Sequence, residues 1–491
     1  MVCLFENLMN MIKYSIYILP LIILIVLSIS IKKDVQRVHI IIQSLKLTLI
    51  VIMIVIGIEE SIYVKLNGHL IKTELIKLFE YLLLGVSYMI IKMFEEGVTE
   101  GKKTKITDEG LILIYSSIIG MLISMEAHNL ITLFLSLEIS SICFYILALN
   151  KNSRKGIEGG LKYYIIGGIA TTILLLGIVS IYKSTGSLMY TDLLVIVMEN
   201  TDDYRIQMGI ALIVLGLILK LGIAPFHGWL IDVYEGAGML MTFYLTITQK
   251  LVTLMVLINL YQNLIIYTNA IMFTNGLIIL ILVTLVVGTI GSLRQQKLIR
   301  FIAYSAIVNS ALLILMLAGS MSEELMVNSV YYLINYIIGL TVLMSLIMGF
   351  LRLNDRGTIE DIYQLKNMWV INMFGAIVYI LVLMYLAGLP PMTNFISKIL
   401  ILLPYMVLGR VYLTMLAFFL SVGVMIYYMN LVKIIIIDKV QTHEQGVAEL
   451  EITSKPTKGG RRIVLGVMWL IFSQLYLDEI LNVIKVIVAL I

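Results

Sequence analysis

Residues 215–251 read LGLILKLGIAPFHGWLIDVYEGAGMLMTFYLTITQKL, and they decide the fold. An apolar helix carries Lys220 and stops at Pro225; the polar run from His227 to Glu235 follows, and a second apolar helix carries Lys250. A lysine in hydrocarbon costs roughly 2.5–3.5 kcal/mol on insertion scales, so two of them are not there by drift. Proline beside one of them frees backbone carbonyls, which only a wet or protein-lined interior can satisfy. Charge beside a broken helix at membrane depth points to an ion path rather than to a lipid-facing anchor.

The rest of the chain agrees with that setting. Of 491 residues, 60% are hydrophobic and only 13% charged, with a mean hydropathy of +1.00. A soluble domain is nearer a quarter charged. Apolar runs of bilayer length recur from end to end. We read fourteen spans: 14–31, 38–58, 75–94, 110–125, 129–149, 162–182, 208–224, 239–261, 271–293, 301–318, 325–350, 370–403, 411–437 and 463–491. The run ending in Asp202, Asp203, Tyr204 and Arg205 is expected along the surface between spans six and seven. The fold class is therefore an all-α polytopic membrane protein.

Loop charge gives the orientation. Most loop lysines and arginines lie in the odd-to-even connections, such as Lys32-Lys33, Lys151 to Lys155 and Arg294 to Arg300. The positive-inside rule puts those loops in the cytoplasm or matrix and both termini on the opposite side. The longest loop, 438–462, carries Lys455-Pro456 and Gly459-Gly460 and reads as a flexible connection.

A second break mirrors the first. Residues 386–403 read LAGLPPMTNFISKILILL, with Gly388, Pro390 and Pro391 followed by Lys398. Paired interrupted helices are the usual sign of inverted repeats around a midplane site. The breaks are five spans apart, so the chain divides into 1–109 (three spans), a first five-helix repeat 110–265, a second repeat 266–437, and the loop and last helix 438–491. An odd number of spans per repeat makes the two copies antiparallel.

Composition also excludes much. Cys3 and Cys143 are too few for a disulfide framework or a cysteine metal site. No GxGxxG, P-loop or HExxH pattern occurs, and a net charge of +4 gives no argument for nucleic acid. The first dozen residues hold Glu6 and no arginine, unlike a transit peptide. Six prolines beside 29 methionines and 28 tyrosines suggest an AT-rich coding genome, which tilts the localisation to a mitochondrial inner membrane over a bacterial plasma membrane.

Glu138 sits mid-span in LFLSLEISSICFYIL. Alone in hydrocarbon a carboxylate takes up a proton, whereas beside an ammonium it stays ionised. Lys220 is the expected partner if the two helices touch; the pair is either a proton switch or a static contact that fixes packing. Lys250 is central to its span and has no acid on its own helix, which suits a lysine that cycles between charged and neutral. Lys398 either does the same or snorkels to an interface. His227 either relays protons or caps freed carbonyls, and Tyr304, Ser305 and Asn309 are polar groups able to hold water beside a path. Less weight falls on Lys46, Glu80, Lys92 and Glu126, and Asp478, Glu479 and Lys485 are read as snorkelling or as touching a partner subunit.

Five stretches carry a resemblance: LSLEISSICFYILAL, GGLKYYIIGGIATTILLLGIVSIYKSTGSL, LKLGIAPFHGWLIDVYEGA, QQKLIRFIAYSAI and LAGLPPMTNFISK. In combination the chain resembles the antiporter-like proton-channel subunits of respiratory complex I. It lies nearer the subunit 2 type (bacterial N type) than the subunit 4 type, because Lys398 stands where the latter usually has glutamate. The resemblance implies fourteen helices with two inverted five-helix repeats and a buried line of charge. It makes Glu138 and Lys220 the ion pair, Lys250 the central lysine and Lys398 the terminal one. It also implies a subunit of an NADH:ubiquinone reductase that holds no cofactor itself, with NADH, flavin, iron–sulfur clusters and ubiquinone in other subunits. The expected partners are further membrane-arm subunits and the lipid bilayer. Four positions depart from the family's habit: Gly238 for proline, Thr248-Gln249 where proline often precedes the lysine, Asn394 for glycine, and Asn309 for histidine. Two rival readings stand beside this one: a subunit of a multi-subunit cation/proton antiporter, and a structural membrane-arm subunit that no longer pumps.

Overall fold

The computed structural model describes residues 2–30, 34–59, 63–65, 68–99, 107–150, 153–201, 203–267, 271–319, 323–350, 362–366, 368–437, 466–467, 469, 473 and 475–489. The helices are α1 Val2–Ser30, α2 Asp34–Ile58, α3 Glu74–Thr99, α4 Asp108–Glu126, α5 Leu130–Ala148, α6 Arg154–Thr185, α7 Tyr190–Glu199, α8 Tyr204–Lys220 and α9 Gly228–Gly236. There follow α10 Met239–Asn263, α11 Ile271–Leu293, α12 Leu298–Ala318, α13 Glu323–Phe350, α14 Met368–Ile371, α15 Met373–Ala387, α16 Thr393–Val407, α17 Val411–Ile436 and α18 Leu477–Ala489. Nine helices among the described residues are long and apolar enough to cross a membrane, as expected of an all-α polytopic membrane chain.

Local sequence fixes many of the ends. Thr107, Asn129, Ser153, Asp203 and Asn372 each accept a backbone N–H from the first turn of the helix that follows, the usual remedy for orphan donors at a helix start. In three of the long helices nearly all of the 18-residue apolar stretch is buried, 94% in α10, 94% in α12 and 83% in α13. They form the middle of the molecule. The apolar stretches of α2, α6, α11 and α17 are less than half buried, and Leu47, Ile54, Ile165 and Phe419 on them face outward, as lipid-facing residues do.

Four sequence expectations change. The loop after α2 holds an antiparallel hairpin, β1 (Tyr63–Lys65) with β2 (Leu70–Lys72), pairing Tyr63 with Lys72. A hydrogen bond from His128 N to His69 O at 2.9 Å pins it to the α4–α5 corner. The run before Asp203 is helical, α7, with Leu193 and Val197 buried. The span over 370–403 has the expected break at Gly388, and a further interruption at Asn372, which starts a fresh helix, divides it into three helices. Among the described residues of the last span, 463–491, positions 466–467 and 469 are helical, 475–476 form a turn, and α18 runs over Leu477–Ala489. The loop 438–462 lies outside the described residues, as do Lys32, Lys33 and Lys151, on which the charge bias partly rests.

Candidate functional site

Both breaks are built the same way: a glycine in the left-handed region next to a lysine. At the first, α8 ends on Lys220 and Gly222 turns with φ +71°; a Cβ there would lie 2.5 Å from Leu230 Cδ1. At the second, α15 ends before Gly388 (φ +75°), where a Cβ would lie 2.8 Å from Lys398 Nζ. Only glycine meets both demands, the positive φ and the close approach.

Interrupting a helix leaves its last carbonyls without donors. Side chains of other helices supply them. Gln249 Nε2 donates to Lys220 O at 2.8 Å, Lys398 Nζ to Ala387 O at 3.0 Å, and Asn394 Nδ2 to Tyr385 O and Leu386 O at 3.0 and 3.3 Å. Gln249 and Asn394, both departures from the family's habit, are thus the residues that satisfy the broken ends. Tyr385 O is also reached by Gly388 N, so Leu386 O depends most on Asn394. Removing it in Asn394→Ala leaves a buried acceptor unmade, at about 1–3 kcal/mol. The expected result is a lower melting temperature of the assembled protein; an unchanged melt would mean that water takes the place of the amide.

The three lysines are buried, with 7%, 3% and 7% of Lys220, Lys250 and Lys398 exposed. Lys220 does not pair directly with Glu138. Its Nζ donates to Ser141 Oγ at 2.8 Å, Ser141 Oγ in turn donates a hydrogen bond to Leu137 O, and Glu138 Oε2 is buried without a hydrogen-bond partner. Glu138, Ser141 and Tyr145 share a face of α5 at i, i+3 and i+7, so the serine stands where the ion pair was expected. A cavity of about 20 Å³, lined by Ser141, Tyr145, Tyr163, Lys220, Trp229 and Gln249, has room for about one water.

Lys250 Nζ donates to Ala306 O at 2.5 Å and to Tyr336 Oη at 3.1 Å and lies 4.5 Å from the centre of the Tyr336 ring. Tyr336 escaped the sequence reading, since nothing marks one tyrosine of 28. Asn309 accepts from Tyr332 Oη at 2.5 Å, one helical turn from Tyr336, so it lies in a hydroxyl cluster next to Lys250. His227 and Tyr304 meet each other, their rings 6.4 Å apart, with His227 Nδ1 buried and unpartnered. Ser305 Oγ donates to Ile302 O at 2.9 Å. Lys398, tied to Ala387 O, does not snorkel. Among the described residues, none of the three lysines has a carboxylate within ion-pair distance.

Away from these, Glu235 accepts from Lys155 Nζ and Lys297 Nζ, each at 2.7 Å, and from Arg300. It joins the starts of α6 and α12 to the end of α9. Burial opposes its charge, but the three cations outweigh that and hold the carboxyl at about 2. The depressed value means a stabilisation that is complete above the ordinary 4.5 and is lost as pH falls toward about 2. Between about pH 5 and 3, the melting advantage of the wild type over Glu235→Gln is therefore expected to shrink; a constant difference would mean the ion cluster does not stabilise the fold.

The family model described as "NADH:quinone oxidoreductase/Mrp antiporter, TM" matches residues 127–425, both breaks and all three lysines included. The chain belongs to this family. Among its curated members, the NADH-ubiquinone oxidoreductase chain 2 of Dictyostelium discoideum is 69% identical over 493 residues, covering 100% of both chains. Chain 2 of Rhizopus oryzae is 30% identical over 70% of this chain and 66% of that one. Among solved structures, a chain of respiratory complex I from Thermus thermophilus has a TM-score of 0.78 at 19% identity, covering 96% and 98%. A chain of the Mrp complex from Dietzia has the same TM-score at 14% identity, covering 97% of each. At these identities the structural likenesses show the fold, which the family's complex I and Mrp members share.

Proposed function

We propose that this chain is the antiporter-like, proton-translocating subunit 2 of NADH:ubiquinone oxidoreductase, seated in the membrane arm of complex I in a mitochondrial inner membrane. Its neighbours are further membrane-arm subunits, and electrons pass from NADH to ubiquinone in other chains. The full-length 69% identity to a complex I chain 2 supports the assignment. In this reading there are fourteen spans: three over 1–109, inverted repeats over 110–265 and 266–437, and a last helix in 438–491. Both termini face the intermembrane space. The convergence of Lys155 and Lys297 on Glu235 supports a common side for two of the basic loops.

Protons move along Glu138, Lys220, Lys250 and Lys398. The observation that carries this is that each lysine is buried and held by neutral oxygens alone. A carbonyl or hydroxyl can accept from an amine as well as from an ammonium and favours the ammonium far less than a carboxylate, which would pin the charged form. A lysine held this way can lose and regain a proton without losing its partner. Ser141 lies between Glu138 and Lys220, so their coupling acts through space and through the serine; His227, Tyr304 and Ser305 are auxiliary to the path. The test is Lys220→Ala and Lys398→Ala in the assembled complex reconstituted in vesicles. Each is expected to lower the number of protons pumped per NADH oxidised, and full pumping in both would remove them from the route.

The Mrp likeness favours a second reading, a cation/proton antiporter subunit. Co-purification with flavin and iron–sulfur subunits supports complex I; sodium-dependent exchange without NADH supports the antiporter.

A further inference from the structure

The second break gathers polar groups that none of the three lysines uses. Asn335, Tyr385, Thr393 and Ser473 come from α13, α15, the start of α16 and the segment before α18, and they are 1%, 0%, 0% and 3% exposed. Asn335 Oδ1 accepts from Tyr385 Oη at 2.8 Å and from Thr393 Oγ1 at 3.4 Å. Thr393 Oγ1 is also 3.4 Å from Tyr385 Oη and 3.2 Å from Ser473 Oγ, where either hydroxyl can donate. Three hydroxyls thus follow one another, Tyr385 to Thr393 to Ser473, beside a single amide. A fourth, Tyr331 Oη, one turn before Asn335 on α13, is buried with no hydrogen-bond partner.

The chain of hydroxyls spans the break itself. Tyr385 stands just before Gly388 and Thr393 opens the helix that follows, so the two lie on opposite lips of the interruption. Asn394, next to Thr393, and Lys398, one turn further along, hold the freed carbonyls of Tyr385, Leu386 and Ala387. On α13 the residue after Asn335 is Tyr336, which meets Lys250, so consecutive residues of one helix serve the central lysine and the second break. With its Nδ2 tied to Tyr331 O at 3.0 Å, Asn335 turns its oxygen to the hydroxyls. Interhelical hydrogen bonds stabilise a membrane bundle only modestly, and apolar side chains of the same size would fill this space. What hydroxyls add is that each can donate and accept at once, which is what passing a proton requires.

We propose that Tyr385, Thr393 and Ser473 form a side branch of the proton route, leading from the second break to the C-terminal segment, with Asn335 as the residue that positions the Tyr385 and Thr393 hydroxyls. The branch presupposes the route through Lys398 proposed above. A proton given up at Lys398, where an N–H bond breaks, enters at Tyr385. Each oxygen in turn gains one O–H bond and releases another, so one proton leaves at Ser473 for each that enters, and the three hydroxyls end neutral. The segment before α18 is thereby part of the route, and α18, which packs against α13 and α3, holds it in place.

The test is the number of protons pumped per NADH oxidised by the intact assembled complex in vesicles, for Ser473→Ala, Thr393→Val and Thr393→Ser beside Lys398→Ala. Ser473→Ala and Thr393→Val are expected to lower the ratio toward that of Lys398→Ala, and Thr393→Ser, which keeps the hydroxyl, to hold the wild-type ratio. A full ratio in either Ser473→Ala or Thr393→Val overturns the proposal, as does a loss in Thr393→Ser equal to that in Thr393→Val. A lower melting temperature with an unchanged ratio would make these contacts packing alone and overturns it as well. Should only one of Ser473→Ala and Thr393→Val assemble, its ratio decides; failure of both to assemble overturns the proposal. Full pumping by Lys398→Ala would bring down the route through the lysines and the branch with it, whereas full pumping by Ser473→Ala beside reduced pumping by Lys398→Ala brings down the branch alone.

Discussion

Lys250→Met is expected to stop proton translocation through this chain while the complex still assembles. The two halves of that expectation have separate causes. Assembly survives because the charge has no counter-charge to orphan. Ala306 O keeps a second donor, Ser310 Oγ at 2.9 Å, and Tyr336 loses a contact to its hydroxyl and ring face but no ion-pair partner. Methionine is unbranched like lysine and fills the same slot between α10, α12 and α13. Removing an unpaired charge from a 3% exposed site is neutral or stabilising. Translocation fails because no titratable group remains midway along α10. Lys250→Arg sharpens the test: the guanidinium keeps the positive charge but does not deprotonate, so it too is expected to abolish pumping. Protons pumped per NADH oxidised, measured in vesicles, read out both variants. Normal pumping by Lys250→Arg would show that position 250 supplies only a fixed charge.

Lys250 and the two breaks were legible because hydropathy alone marks a charge or a glycine–proline pair inside an apolar run. Depth in the bilayer follows from position in the span, and the structure finds Lys220, Lys250 and Lys398 buried. What each lysine touches was not legible. Ser141 rather than Glu138 meets Lys220 because the two are three residues apart on one face of α5, and the choice depends on how α8 is offset along it. Gln249 and Asn394 looked like mere departures from a family pattern; their work on broken helix ends shows only when the partner helix is in place. The hairpin was hidden for another reason. Lys72 lies in a polar connection, where a charge reads as solvated, and it becomes buried only when three helix ends close over it.

The same substitution at that second place, Lys72→Met, is expected to have the opposite result. Here the ammonium is the counter-charge of Glu59, Glu80 and Glu126. Breaking a buried pair by removing one partner costs about 3–5 kcal/mol, and three buried carboxyls lose the Lys72 ammonium at once. Against a typical stability of about 5–15 kcal/mol, the variant chain is expected to be depleted from the assembled complex, as measured by native gels and by quantifying the subunit in membranes. Glu80→Gln added to Lys72→Met is expected to restore part of that abundance by removing one of the repelling carboxyls, and the deficit in surviving complex is expected to narrow as the pH is lowered and protons take the place of the ammonium. Wild-type abundance of Lys72→Met would mean that the hairpin lysine is dispensable to the fold. Two lysines of similar burial therefore separate by what surrounds them: the one held by neutral oxygens can be deleted from the fold but not from the route, and the one held by carboxylates cannot be deleted from the fold.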